Sequence, residues 1–96
     1  MKKLSNPFQS HLPICDLHGE ITETVPIVLN RFIEEQLKYQ QTEFIIIHGI
    51  GEGIVKNATH EYLKENKQVK DFYQDQNNQG ITCVKLRSKE WKNTFF

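Results

Sequence analysis

Along this chain, short unbroken apolar runs take turns with longer stretches in which apolar positions recur every three or four residues. Ile14-Cys15-Asp16-Leu17-His18 is a short, mainly apolar run closed by Gly19, which reads as a strand followed by a turn. Val25, Val28, Leu29, Phe32, Ile33 and Leu37 then fall at helical spacing and define one apolar face, with Arg31, Glu34, Glu35 and Lys38 on the opposite side. Thr22 or Thr24 is placed to cap this helix, and Pro26 fits its first turn, where a missing N–H is harmless. The helical pattern ends near Gln40. Phe44-Ile45-Ile46-Ile47 is continuous, aromatic and β-branched, without polar alternation, so both of its faces should be buried; it reads as an inner strand, of the kind common in parallel pairs. A second helix is predicted from about Ile54 to Asn66, with Ile54, Val55, Ala58, Tyr62 and Leu63 as its apolar positions. Val69 to Gln74 and Ile81 to Leu86 read as two more strands, paired as a hairpin through the turn cluster Asn77-Asn78-Gln79-Gly80.

The order is therefore βαβαββ. Strands alternating with helices imply a parallel pair joined by a right-handed crossover, and the closing hairpin adds an antiparallel edge. The expected fold class is α/β, a two-layer sandwich whose helices cover one or both faces of the sheet. Residues 1–13, punctuated by Pro7 and Pro13, read as an extended arm with Phe8 and Leu12 as anchors. Residues 14–87 form the domain, and 88–96 form a basic and then aromatic tail with Trp91, Phe95 and Phe96.

Composition narrows the function classes. With 96 residues the chain holds one domain, and its 12 basic and 12 acidic side chains leave no formal net charge. Nucleic-acid binding by bulk positive charge is thereby excluded, though a local basic patch is not. The charge is unevenly placed: residues 1–55 carry 4 basic and 7 acidic side chains, residues 56–96 carry 8 and 5. No apolar run approaches the roughly 20 residues of a membrane span, and no hydrophobic segment follows Lys2 and Lys3 as a secretory signal requires. Cys15 and Cys83 lie within apolar strand-like runs and read as reduced core residues of a cytoplasmic protein, with a disulfide between neighbouring strands as the minor alternative.

The candidate chemistry gathers at one place. If the first two strands are parallel neighbours, Gly19 and the Gly49-x-Gly51-x-Gly53 loop share the carboxyl edge of the sheet, where open α/β sheets bind ligands. Asp16 and His18, two residues apart on a strand, would point to the same side, and a carboxylate beside an imidazole fixes its tautomer. His48 takes the matching place after the second strand. Since adjacent strands lie about 4.8 Å apart, His18 and His48 could reach one ligand. Two imidazoles, one taking and one giving a proton, suit phosphodiester chemistry. The blander reading makes Asp-x-His a structural strand end and the loop a tight strand-to-helix turn. Glycines opening a helix let backbone N–H groups approach a phosphate, and Lys56 could offset the repulsion of Glu52. The loop lacks the Gly-x-Gly-x-x-Gly spacing, because Ile54 stands at the third glycine's place, and it lacks a Lys-Ser/Thr ending. Asp16, His18 and His48 are conceivable zinc ligands by type, but no Cys or His pair has metal-finger spacing; no metal or other cofactor is expected. His11 and His60 read as surface residues without a role. Lys85, Arg87, Lys89 and Lys92, with Trp91, could touch a nucleic-acid backbone or be a solvated end. A small nucleotide-binding domain is a further alternative, although it calls for a larger sheet.

Cys15-Asp16-Leu17-His18-Gly19, then a helix, then Ile46-Ile47-His48-Gly49-Ile50-Gly51-Glu52-Gly53, a second helix and a closing strand pair together resemble the Smr (small MutS-related) domain over about residues 14–87. The resemblance implies an α/β sandwich with a four-stranded mixed sheet and binding to DNA or RNA. It also implies endonuclease activity in some members, acting on stalled or collided ribosomes in certain cases, and residence in larger multidomain proteins. Carried over residue by residue, Asp16 and His18 become the acid and base pair. His48, with Gly49, Gly51 and Gly53, becomes the phosphate-binding and catalytic loop, Gly19 lies beside it, and Lys56 stands where Arg is frequent. The pattern departs in three respects: Ile50 replaces the usual basic residue, Asn77-Asn78 replace a glycine pair, and the net charge is zero. The loss of a basic residue at Ile50 favours the alternative of a non-catalytic module that binds RNA, a ribosome or a protein partner.

Overall fold

The middle of the sheet is formed by the strands that can be buried on both faces. In the computed structural model, which describes residues 11–88, the elements are β1 (Ile14–Asp16), α1 (Val25–Lys38), β2 (Glu43–Ile47), α2 (Ile54–Glu65), β3 (Val69–Gln74) and β4 (Ile81–Leu86). They form one four-stranded sheet in the order β1-β2-β4-β3. β2 pairs in parallel with β1 and antiparallel with β4, and β4 pairs antiparallel with β3, so the sheet is mixed, as expected. The unbroken apolar run in β2 lies centrally, with Phe44, Ile45 and Ile46 all buried. The β3–β4 register slips between Val69 and Asp71.

Both helices cover the same face. Val25, Leu29, Ile33 and Leu37 of α1 and Leu63 of α2 join Cys15, Leu17, Phe44, Ile46, Val84 and Leu86 in one cluster, where the Phe32 and Phe44 rings sit 4.9 Å apart. The alternate residues of the inner strands, Ile45, Ile81 and Cys83, form a smaller cluster on the other face with Leu12 and Ile47. The architecture is thus a two-layer sandwich with its helices on a single face. Of the two cysteines, Cys15 faces the helices and Cys83 faces away, on strands separated by β2; both are free, so the disulfide alternative falls. Burial, with Asp16 and Glu20 adding to it, pushes the Cys15 thiol up to about 12.

Helix ends follow local chemistry. Thr24 is the N-cap of α1, but its hydroxyl donates to Glu20 Oε1 at 2.7 Å rather than capping a helical N–H. At the other end Gln40 takes a φ of 62°, and the N–H groups of Gln40 and Gln41 donate to the carbonyls of Leu37 and Gln36. This is a Schellman closure with glutamine in the usual glycine place. Among the described residues, no helix is long and apolar enough to cross a membrane. Most of the expected arm, and the tail with Lys89, Trp91, Lys92, Phe95 and Phe96, lie outside the described residues.

Candidate functional site

Because β1 and β2 are parallel and each leads into a helix, both strand ends and both helix N-termini lie at one sheet edge. β1 ends at Asp16, two residues short of the expected strand. The last ladder bond beyond it runs from Leu17 N–H to the Ile47 carbonyl at 2.7 Å, after which the chain turns, with Gly19 at a φ of 87°. Asp16 Oδ1 accepts the backbone N–H of His18 at 2.9 Å. The carboxylate therefore orients His18 through its main chain, whereas the sequence suggested a carboxylate–imidazole pair. Leu17 is fully buried and the His18 side chain is exposed.

β2 delivers its histidine differently. Asp16 is level with Ile47, so Leu17, not His18, is level with His48. His48 continues the inward-facing series of Phe44 and Ile46 and is only 6% exposed, beneath α2. The expected matching of His18 with His48 is thus off by one residue, and one residue is enough to reverse the face. His48 Nε2 lies 2.7 Å from Thr82 Oγ1 on β4, and its Nδ1 lies 3.0 Å from the Gly49 carbonyl oxygen. His60 of α2 reaches the same hydroxyl through Nε2 at 2.8 Å. The two imidazoles stand edge to face with centres 5.8 Å apart, and Phe72 of β3 packs against His60 at 5.3 Å.

Burial holds His48 below its ordinary value, with Lys56 adding to it against the Gly49 carbonyl bond. His60 is lowered first by burial, then by His48, Lys56 and Lys64. Both rings are neutral at pH 7. His60 is therefore half-buried and engaged, not the bland surface residue its sequence context suggested, and Thr82 was also missed. Thr82 did carry a signal, because it shares the inward side of β4 with Val84 and Leu86. His60 borders the apolar stripe of α2, four residues after Lys56.

The glycine loop is tied from below. The N–H groups of His48 and Gly49 both donate to the Gly80 carbonyl, at 2.9 and 3.1 Å. Gly53 is the N-cap of α2 at a φ of 81°, a conformation costly for any side chain. A Cβ on Gly49, Gly51 or Gly53 would meet nothing within 4 Å, so these glycines serve backbone conformation and leave the outer side of the loop open. Gly80 differs: its Cβ would press on the Gly49 backbone at 3.3 Å. The Asn77-Asn78 departure forms its own turn, in which Asp75 Oδ2 accepts the Asn77 N–H and Asn78 Oδ1 accepts the Gly80 N–H. The first-turn N–H groups of α2 have no partners within the helix and carry the positive end of its dipole, with Lys56 beside them. Ile50 and Ile54 are more than half exposed there. Among the described residues, no three His, Cys, Asp or Glu side chains gather into a group able to hold a metal.

A βαβαββ sandwich with two histidine-glycine turns at the carboxyl edge of its parallel pair defines a narrow class of small α/β domain. This chain belongs to the Smr domain family, whose model matches residues 15–87. It is 38% identical over 70 residues to the Endonuclease MutS2 of Streptococcus suis (strain 05ZYH33), an alignment that takes in 72% of this chain and 9% of that protein. The chain thus spans about a tenth of the length of the curated relatives it matches. The crystal structure of the Smr domain of Thermus thermophilus MutS2 superposes with a TM-score of 0.76 at 25% identity, covering 79% of this chain and 99% of that one. YdaL, a stand-alone small MutS-related protein from Escherichia coli, shares the fold with a TM-score of 0.73 at 22% identity, covering 82% of this chain and 67% of its own.

Proposed function

We propose that this Smr domain binds the phosphate backbone of nucleic acid at the carboxyl edge of β1 and β2 and cleaves it as an endonuclease, with His18 as general base. The observation that carries this reading is an exposed imidazole, its main chain tethered by Asp16, at the same edge as an open glycine loop and a helix N-terminus. His18 would take the proton from a ribose 2′-hydroxyl, or from water on DNA. The oxygen so activated attacks phosphorus, and the leaving oxygen takes a proton from solvent water as its bond to phosphorus breaks. The charge growing on the phosphoryl oxygens would meet the outward amides of the Gly49–Gly53 loop, the dipole of α2 and the Lys56 ammonium. His48 supports the loop from beneath, since both its nitrogens already have partners inside the protein. The similarity to proteins named Endonuclease MutS2 supports the same class of activity. A cytoplasmic setting belongs to this proposal, and the two buried free thiols support it.

Two observations favour a second reading, binding without turnover: His48 has no nitrogen left to pass a proton, and Ile50 offers no charge to a transition state. Incubation with single-stranded RNA and with supercoiled DNA, in chelator, separates the two. Cleavage by wild type that is lost in His18→Ala supports the nuclease. Identical substrate patterns for both proteins overturn it. Salt-sensitive retention of the same nucleic acids, or co-sedimentation with ribosomes in low salt, would then leave the binding module standing.

A further inference from the structure

Three ring nitrogens of two imidazoles converge on Thr82 Oγ1 and the Gly49 carbonyl, and their donors and acceptors can be counted. A neutral imidazole has one N–H and one lone pair. His48 Nδ1 faces a carbonyl oxygen, which only accepts, so the ring's single proton lies on Nδ1 and is donated to Gly49. His48 Nε2 must then accept, and the hydrogen it accepts is that of the Thr82 hydroxyl. With that hydrogen committed, Thr82 Oγ1 faces His60 as an acceptor, so His60 carries its proton on Nε2. The sequence of donors is therefore His60, Thr82, His48, Gly49, running from the middle of α2 through β4 to the glycine loop.

The last link bears on what the loop presents. No described peptide is cis, and in a trans peptide the carbonyl and the following N–H point in opposite directions. Drawing the Gly49 carbonyl inward onto His48 turns the Ile50 N–H outward, to the side where the loop is open. The Gly80 carbonyl holds the N–H groups of His48 and Gly49, those of the two preceding peptides, so the chain is fixed just ahead of this one.

We propose that His60 is a positioning residue that, acting through Thr82, fixes His48 as the Nδ1–H tautomer and thereby aims the Ile50 amide outward as a phosphate-oxygen donor. This rests on the phosphate-binding reading above for its ligand, but not for its proton arrangement. It also explains how the site tolerates Ile50 where a basic residue is usual: the backbone of that residue, not its side chain, does the binding. The charged groups bearing on the pair are Lys56 and Lys64, both on α2; from β3 and β4 the facing residues are Phe72 and Thr82, which carry no charge. Burial first, then Lys56 at His48 and His48, Lys56 and Lys64 at His60, disfavours the charged form of each ring, in keeping with the donor count.

The test is nitrogen NMR on the full chain with labelled histidine and backbone at pH 7.5, combined with titration of inorganic phosphate and of a single-stranded oligonucleotide. The expected pattern is a protonated Nδ1 on His48 and a protonated Nε2 on His60. Thr82→Val and His60→Leu should shift the His48 nitrogens and the Ile50 amide and weaken oligonucleotide binding about 3- to 10-fold. His60→Gln, whose side-chain amide can still donate to Thr82, should restore wild-type resonances and affinity to within about twofold. Because His60 is half-buried on a helix, its variants keep the test open should Thr82→Val fail to fold. A His48 protonated on Nε2 overturns the proposal, as do unmoved His48 and Ile50 signals in His60→Leu. Tautomers and variant shifts as stated, in a protein that retains neither phosphate nor oligonucleotide, would support the proton relay and overturn both the amide's role as a phosphate donor and the nucleic-acid reading.

Discussion

The two strand-to-helix turns of the parallel pair begin with the same dipeptide, His-Gly, and put it to opposite uses. After β1, His18 is exposed and its main chain is tethered by Asp16, while the residue before it, Leu17, fills the core. After β2, the histidine itself enters the core and holds the loop through Thr82 and the Gly49 carbonyl. The difference is one residue of register: Leu17, not His18, is level with His48. Since strand side chains alternate, that single step decides whether an imidazole meets solvent or hydrocarbon. The same sequence word can thus mark a solvent-exposed group in one turn and a structural peg in the other.

Deleting each ring in turn separates the two roles. His18→Ala should reduce strand cleavage at least about 100-fold, the usual worth of a general base, while leaving stability within about 0.5 kcal/mol. His48→Ala should cost about 2–3 kcal/mol in urea denaturation, because it abandons a buried hydroxyl and a carbonyl. Equal stabilities for the two variants would refute the division of roles. Next in size are the glycines. Gly19→Ala and Gly49→Ala should each cost about 1–2 kcal/mol, since both sit at φ above 80° with free space around an added Cβ, so that only backbone strain is paid. Asp16 comes third. Asp16→Ala should lose about 1 kcal/mol, and Asp16→Asn, which keeps an acceptor for the His18 N–H, should lose less than half of that.

The smallest effect is graded with pH. His48 and His60 are both held below the ordinary histidine value of 6.5, so on acidification the unfolded chain binds protons that the native one refuses. Stability should be flat above about pH 7 and fall as pH drops below 6.5, down to the lowered native values. His60→Gln should flatten that fall. A stability that rises on acidification from pH 7 to 5 would contradict the burial assigned to these rings.

Much of the architecture was legible because it depends on patterns with a period. β3 and β4 lie where the sequence predicted, and both helices agree to within two residues, except that the helix start at Thr22 or Thr24 could not be chosen from spacing alone. The helix-side face of the sheet was less so: the apolar stripes of α1 and α2 are compatible with one covered face or two. The site was legible as an edge but not as a constellation. Gly19, Gly49, Gly51 and Gly53 all take positive φ at that edge, in keeping with their reading as turn glycines. The pairing of His18 with His48 failed because register between distant strands is a tertiary quantity, and β1 stops two residues earlier than its apolar run. The link between His60 and Thr82 was hidden for a related reason: the inward side of Thr82 can be read from β4 alone, but only the packing of α2 over β4 joins the two residues.

The slipped pairing between Val69 and Asp71 bears on solubility. β3 is an outer strand of an open sheet, and a long straight margin of free amides and carbonyls would invite a second chain to add on. The irregularity, with the exposed Lys70 inside it, spoils that template on one side. On the other side β1 is only three residues long. Both margins are thereby poor seeds for fibrous stacking, which lets a domain this small keep an open four-stranded sheet without closing it into a barrel.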